Sequence, residues 1–177
     1  LYGDYNPSGK LPMSFPRNVG QVPIYYNNYS TGRPIDSDKN VFWSHYSDVE
    51  KTPQFPFGHG LSYTTFKYSS LKLNKTAFAK GETVKVSATV SNTGKYDGKE
   101  VVQLYIRDVT GSLSRPVKEL KGFELVNLKK GESKIINFTL SEAELGFFDN
   151  DGNYLLESGS FKVFVGTSSD AVLETEF

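Results

Sequence analysis

The two histidines of the chain, His45 and His59, are the first candidates for chemistry, because imidazole binds metals and transfers protons near neutral pH. Four carboxylates lie close to them in the sequence, namely Asp36, Asp38, Asp48 and Glu50. Their spacing matches none of the ligand patterns of zinc sites. We therefore interpret the histidines as surface or packing residues and predict no metal-binding residue.

A second candidate is the stretch Asp-Asn-Asp-Gly-Asn at residues 149–153, which resembles a calcium-binding loop. Such a loop has glycine at its sixth position and a bidentate Glu at its twelfth. Here the glycine, Gly152, is fourth, and the twelfth residue is Ser160. An Asp-Gly pair between two aromatic residues is typical of a tight turn. The sequence therefore predicts a β-hairpin that joins Phe148 to Tyr154.

Two glycine-containing loops also fall short of catalytic or cofactor-binding motifs. Gly58-His59-Gly60 lacks the third glycine of a dinucleotide loop. Ser62 is preceded by Gly60 but lacks the second glycine of a nucleophile elbow. Paired carboxylates hydrolyse glycosides, yet none of the 20 acidic residues stands out as catalytic. The sequence thus offers no catalytic residue and no cofactor-binding residue.

The amino-acid composition argues against several further kinds of functional site and several classes of protein. The 177 residues include no cysteine, so disulfides, thiolate metal sites and cysteine nucleophiles are ruled out. Lys and Arg number 20, as do Asp and Glu, and this balance argues against nucleic-acid binding. The sequence contains no run of 18 apolar residues, so it predicts no membrane span. Because the chain begins at Leu1 without a leader, we expect a processed or excised piece of a longer protein.

Residues 1–62, which we call the strap, contain seven of the eight prolines and eleven large aromatic residues. Proline is excluded from helix interiors and central strands, which predicts irregular, extended chain. Disordered chains have few aromatic residues. We therefore expect the strap to pack along other surfaces. Phe55, Phe57 and Tyr63 should pack onto the following domain, whereas Tyr2, Tyr5 and Phe15 should be the most exposed.

From residue 63 onward, apolar residues alternate with a period of two, the pattern of half-buried strands. The predicted strands cover residues 66–73, 84–90, 101–106, 123–128, 136–140, 147–148, 161–165 and 171–177. Ser141 should cap a single helical turn, since Glu144 follows three residues later. This pattern predicts an all-β, immunoglobulin or fibronectin type III-like sandwich over residues 63–177. The predicted core consists of Val84, Val86, Val90, Leu104, Ile106, Phe138, Phe161, Val163 and Val165.

Several ordered motifs resemble the C-terminal part of glycoside hydrolase family 3, especially that of bacterial periplasmic β-glucosidases. They are residues 6–16 (NPSGKLPMSFP), residues 55–66 (FPFGHGLSYTTF) and residues 115–123 (RPVKELKGF). The resemblance covers nearly the whole chain. One departure is His59, where the family more commonly has an aromatic residue such as Tyr.

The resemblance implies that residues 1–62 end an α/β catalytic-region domain and that residues 63–177 form the family's fibronectin type III-like domain. The family's catalytic aspartate and glutamate match no position here. The expected function is a non-catalytic structural module of an enzyme that hydrolyses terminal β-linked sugars. The alternative is a carbohydrate-binding module. The expected partners are the missing catalytic domains, with carbohydrate bound only through the parent, self-association through exposed aromatics, and a periplasmic or secreted location.

Overall fold

The computed structural model describes residues 3–30, 46 and 48–177. Over these residues the chain is almost entirely β-structure and irregular chain, as predicted. The strands are β1 (Phe66–Leu73), β2 (Val84–Asn92), β3 (Gly98–Asp108), β4 (Glu119–Leu128), β5 (Ser133–Leu140), β6 (Phe147–Phe148), β7 (Tyr154–Leu155), β8 (Phe161–Gly166) and β9 (Leu173–Glu176). One helical turn, α1 (Glu142–Leu145), and one 3-10 turn (Val19–Gln21) complete the described elements.

Two antiparallel sheets form the predicted sandwich. The first has the strand order β1-β2-β5, and the second has the order β4-β3-β8-β9. The short pair β6-β7 forms a separate hairpin. Stacking two sheets buries one face of each, which is the arrangement of the immunoglobulin and fibronectin type III folds.

The core follows directly from the two-residue alternation of the strands. On β2, Val84, Val86, Ala88 and Val90 are buried, while the residues between them face outward. The predicted core is confirmed for the residues on β2, β3 and β8, all of which are at least 95% buried. The strand pattern therefore positions the two sheets, and the chain has no cysteine with which to form a disulfide.

Phe138 is the exception among the predicted core residues. Its ring packs against the core but is only half-buried. The edge position of β5 does not by itself explain this, because Ile136 and Leu140 on the same strand are buried. The Phe138 ring lies over Gly122 of β4, an edge strand of the second sheet, so that a Cβ atom at Gly122 would come within 3.0 Å of it. Alternation gives the direction of a side chain, but it does not show which residue faces it, and Gly122 has no side chain that could cover the Phe138 ring.

The predicted helical turn and hairpin are both confirmed. Ser141 and Glu144 form a reciprocal capping box at the start of α1. Phe148 pairs with Tyr154, and the Asp149 amide donates to the Asn153 carbonyl at 2.9 Å. The Asp149 carboxylate accepts hydrogen bonds from the amides of Asp151 and Asn153 and from the Asn153 side chain. These bonds lower the pKa of Asp149 and explain its place in the turn.

None of the helices in the described part of the chain is long and apolar enough to cross a membrane.

Two adjacent isoleucines on β5 provide a test of the sandwich. Ile136 is 3% exposed and lies in the core, whereas Ile135 is 68% exposed on the outer face. We expect Ile136→Ala to lower the free energy of unfolding by about 2–5 kcal/mol, because it leaves a cavity. Ile135→Ala should cost below about 1 kcal/mol, the range of strand propensity. Urea denaturation measures both, and equal losses would contradict the assigned strand faces.

Candidate functional site

The strap folds back on itself before it meets the sandwich. The Leu11 amide donates to the His59 carbonyl, and the Gly58 amide donates to the Leu11 carbonyl, both at 2.8 Å. Further along, the amides of Phe15 and Gln54 donate to the carbonyls of Phe55 and Phe15, again at 2.8 Å. The described parts of the strap therefore run side by side as extended chain, as their proline content predicts.

A buried glutamine holds the two parts of the strap together. Gln21 is 1% exposed, its Oε1 accepts from the Arg17 amide, and its Nε2 donates to the Glu50 carbonyl at 2.7 Å. The Arg17 guanidinium also pairs with the Glu50 carboxylate at 2.8 Å. No pattern in the sequence predicts this network, because Arg17 and Gln21 lie about thirty residues from Glu50 and the three residues follow no period.

A buried ion pair anchors the strap to the sandwich. Lys10 Nζ donates to both carboxylate oxygens of Glu100, at 3.1 and 3.2 Å. The Tyr68 hydroxyl on β1 donates to Glu100 Oε1 at 2.9 Å. Burial, and next the negative charge of Glu100, raise the pKa of Tyr68 above its usual range, so it stays a hydrogen-bond donor. One carboxylate on β3 therefore joins the strap to both sheets.

A second contact lies on the outer face of β3, where the strap backbone comes very close. Gln103 Nε2 donates to the carbonyls of Gly58 and Thr167, at 3.2 and 2.7 Å. The Tyr105 hydroxyl donates to Gln103 Oε1. Gly58 has φ +78°, and a Cβ atom there would collide with the Gln103 side chain. Only glycine accommodates both the left-handed backbone and the close approach.

Aromatic stacking completes the anchored side of the strap. The rings of Tyr26 and Phe57 are stacked at 4.3 Å, and Tyr26 meets the edge of Tyr105 at 5.8 Å. The Ser169 amide donates to the Phe57 carbonyl at 2.8 Å. The prediction that Phe57 packs onto the sandwich is confirmed.

The other side of the strap is apolar and open. Phe55 and Tyr63 are 41% and 51% exposed, so the prediction that they pack onto the sandwich is wrong. Phe55 instead stacks on His59 at 5.0 Å. An open cavity of about 520 Å³ lies at this side. Its apolar lining includes Leu11, Phe15, Phe55, His59 and Leu61.

The exposure of the strap's side chains only partly increases with their distance along the sequence from the sandwich. Tyr5 is 66% exposed, as expected, but Phe15 at 42% is no more exposed than Phe55, and Leu61 reaches 75%. The expectation is therefore confirmed for Tyr5, which is the most exposed aromatic residue in the described part of the strap, and is wrong for Phe15. Tyr2 lies outside the described residues. Folding back places Phe15 beside Phe55, which explains their similar exposure.

Several of the residues that first suggested chemistry make structural contacts. Glu50 pairs with Arg17, and the Ser62 hydroxyl donates to Asn6 Oδ1 at 2.9 Å. A Cβ atom at Gly60 would collide with the carbonyl of Gly9, so this glycine allows the strap to fold closely. His45, Asp36 and Asp38 lie outside the described residues. Among the residues that the structure describes, no three His, Cys, Asp or Glu side chains form a group that could hold a metal.

Two family descriptions match the chain. Residues 1–63 match the glycosyl hydrolase family 3 C-terminal domain, and residues 100–169 match the fibronectin type III-like domain. The chain is 48% identical to a periplasmic β-glucosidase of Salmonella typhimurium, over 100% of the chain and 23% of that protein. It is 50% identical to a β-xylosidase of Formosa agariphila, over 97% of the chain and 23% of that protein.

Solved structures give the same result. A β-glucosidase from Listeria innocua, crystallised with gluconolactone, superposes with a TM-score of 0.93 and 44% identity. That match covers 98% of this chain and 24% of the other. The chain thus spans about a quarter of the length of the relatives it matches. From these matches, we identify the chain as the C-terminal part of glycoside hydrolase family 3, with the β-sandwich as its fibronectin type III-like domain.

Proposed function

We propose that this chain is the non-catalytic C-terminal structural module of a β-glucosidase-like enzyme. The parent enzyme would hydrolyse terminal β-linked sugars from oligosaccharides or glycosides. Support comes from the relatives, a β-glucosidase and a β-xylosidase, each about four times as long as this chain. We assign no catalytic, cofactor-binding or metal-binding residue to the module.

The observation that carries the proposal is the contrast between the two sides of the strap. One side is fixed to the sandwich by Lys10, Gly58 and Phe57 through buried contacts. The other side exposes Phe15, Phe55 and Leu61 around an apolar cavity. Exposed apolar surface of this kind marks interaction sites. The partner that fits is the remainder of the parent enzyme, which would cover this side.

The same contrast supports the proposed division of the chain. Residues 1–62 would be the end of the preceding domain and its linker, and residues 63–177 would be the sandwich domain. The outer face of the first sheet is mostly polar: Ser87, Thr89, Ser91 and Asn137 face outward there, together with one exposed apolar residue, Ile135. Such a polar face suits solvent. We therefore place the catalytic domains on the strap side of the module.

The carbohydrate-binding alternative needs exposed rings in a row on one strand face. Most exposed tyrosines of the described chain lie instead on the strap and in turns, including Tyr5, Tyr25, Tyr29, Tyr63 and Tyr96. This distribution favours docking. The name of the Salmonella relative also supports a periplasmic or secreted location for the parent.

The isolated chain should hydrolyse neither an aryl β-glucoside nor an aryl β-xyloside. Both nucleophilic and acid/base catalysis need positioned groups that the module does not supply. Release of the aryl leaving group, followed by absorbance, measures this. Turnover above the buffer blank that survives repurification, and that follows the chain through a sizing column, would contradict the proposal.

Lys10→Met tests whether the strap and the sandwich form one stable unit. Removing one partner of a buried ion pair should lower the free energy of unfolding by roughly 3 kcal/mol or more, since Glu100 loses its cation. Adding Glu100→Gln should cost less than the sum of the single changes, because the two groups are coupled. Lys72→Met, on the outer face of β1, is the control and should stay within about 0.5 kcal/mol. A loss below 1 kcal/mol for Lys10→Met would refute the anchoring role.

Leu61→Ser tests docking on the strap side. In the isolated chain this exposed residue should change stability by less than about 0.5 kcal/mol and should reduce self-association. In the full-length parent the same change should lower the melting temperature, because the side chain would be buried at the domain interface. Ile135→Ser, on the outer face of the first sheet, is the matched control. Equal effects of the two substitutions in the parent would disprove the assigned docking side.

A further inference from the structure

A second cavity lies on the outer face of the four-stranded sheet, next to the anchored end of the strap. Its volume is about 360 Å³, within the range of small-molecule sites. Unlike the apolar cavity of the strap, it is lined largely by polar and charged groups. These include Tyr26, Arg107, Lys118, Lys162, Asp170 and Glu174.

Arg107 is the unusual residue of this cavity. It is half-buried, yet its guanidinium makes no hydrogen bond or ion pair with any residue that the structure describes. In the β3–β8 register it lies directly opposite Lys162, and like charges in that position repel each other. Glu174 pairs with Lys162 at 2.7 Å, and no carboxylate of the described residues forms an ion pair with the Arg107 guanidinium. A partly buried charge without a partner is costly, which points to an anion supplied from outside.

Lys118 provides a second cation on the same cavity. Its Nζ donates to the Ser169 carbonyl at 2.6 Å and lies 4.6 Å from the centroid of the Phe164 ring. These contacts hold the ammonium in place without using a carboxylate. Burial lowers the pKa of Lys118, as expected for a desolvated cation. An ammonium has three N–H donors, so it can still bind a ligand oxygen.

The charges that line the cavity do not balance. Three are positive, on Arg107, Lys118 and Lys162, and two are negative, on Asp170 and Glu174. One negative charge would therefore balance the cavity. A guanidinium presents two parallel N–H groups that match the two oxygens of a carboxylate. The Asp170 carboxylate and the Tyr26 hydroxyl add acceptor groups that suit neighbouring hydroxyls.

We propose that this cavity binds an acidic sugar, with the sugar carboxylate on Arg107 and Lys118 and its hydroxyls towards Asp170 and Tyr26. The choice of a sugar rests on the proposed function, in which the parent enzyme acts on glycosides. The carboxylate itself follows from the unpaired guanidinium. Through this site the module would hold uronic-acid-containing chains close to its parent, without taking part in catalysis.

Calorimetric titration of the 177-residue chain tests the proposal. The probe is a disaccharide with a terminal glucuronic acid, and the comparison is the same disaccharide with glucose in that place. The acidic probe should bind and the neutral one should not. Arg107→Gln should weaken binding roughly tenfold or more, because it removes charge-assisted hydrogen bonds. The unfolding curve of this variant should match that of the unsubstituted 177-residue chain, since the Arg107 guanidinium has no partner to lose.

Lys67→Gln is the matched control, because it removes the same charge from an exposed position on the outer face of the first sheet. It should leave the affinity within about twofold, as expected for a distant, screened charge. Equal weakening by the two substitutions, absence of binding, or equal binding of the neutral probe would overturn the proposal. Sodium sulfate binding as tightly as the acidic probe would also overturn it, by showing a general anion site. None of these outcomes bears on docking, which Leu61→Ser tests separately.

Discussion

The carboxylate of Glu100 is the group on which the rest of the arrangement depends. It occupies an inward position of β3, in line with Val102 and Leu104, where alternation alone calls for an apolar residue. A buried carboxylate is unfavourable unless it is paired and fully hydrogen-bonded. Lys10 supplies the charge and Tyr68 supplies a neutral donor. Because Lys10 belongs to the strap, the end of the sandwich core is satisfied only when the strap is in place.

That requirement explains the composition of β3. Its outward residues include Val101, Gln103 and Tyr105, which are unusual for a solvent-facing strand. The strap covers Gln103 with the backbone of Gly58 and covers Tyr105 with the ring of Tyr26. A strand covered on both faces reads as a nearly continuous apolar run, whereas β2, with one face in solvent, alternates cleanly. The difference in apolar pattern between β2 and β3 is therefore explained by the strap, which covers the outer face of β3.

Much of the fold could be predicted from the sequence, and the reasons for the misses are physical. Alternation and turn residues predicted the strands, the capped turn at Ser141 and the hairpin at Gly152, because these depend on residues close together in the chain. The half-burial of Phe138 and the exposure of Phe55 depend on which residues face them in space, namely Gly122 for Phe138 and Phe15 and His59 for Phe55. The networks of Gln21 and Glu100 join residues from about 30 to 90 positions apart, and no local pattern reports such pairs. The family resemblance supplied the function that these residues alone did not.

The two kinds of contact made by the strap have different physical consequences. Buried hydrogen bonds and ion pairs have strict geometry, so Lys10, Gly58 and Gln103 fix the position of the strap on the sandwich. Apolar contacts are less directional and scale with area, so the surface around Phe55 and Leu61 suits attachment to a second, larger body. A rigid inner side gives the outer side a defined shape. The geometry of the strap is therefore set by the sandwich beneath it, and we propose that this fixed shape is what the catalytic domains of the parent dock against.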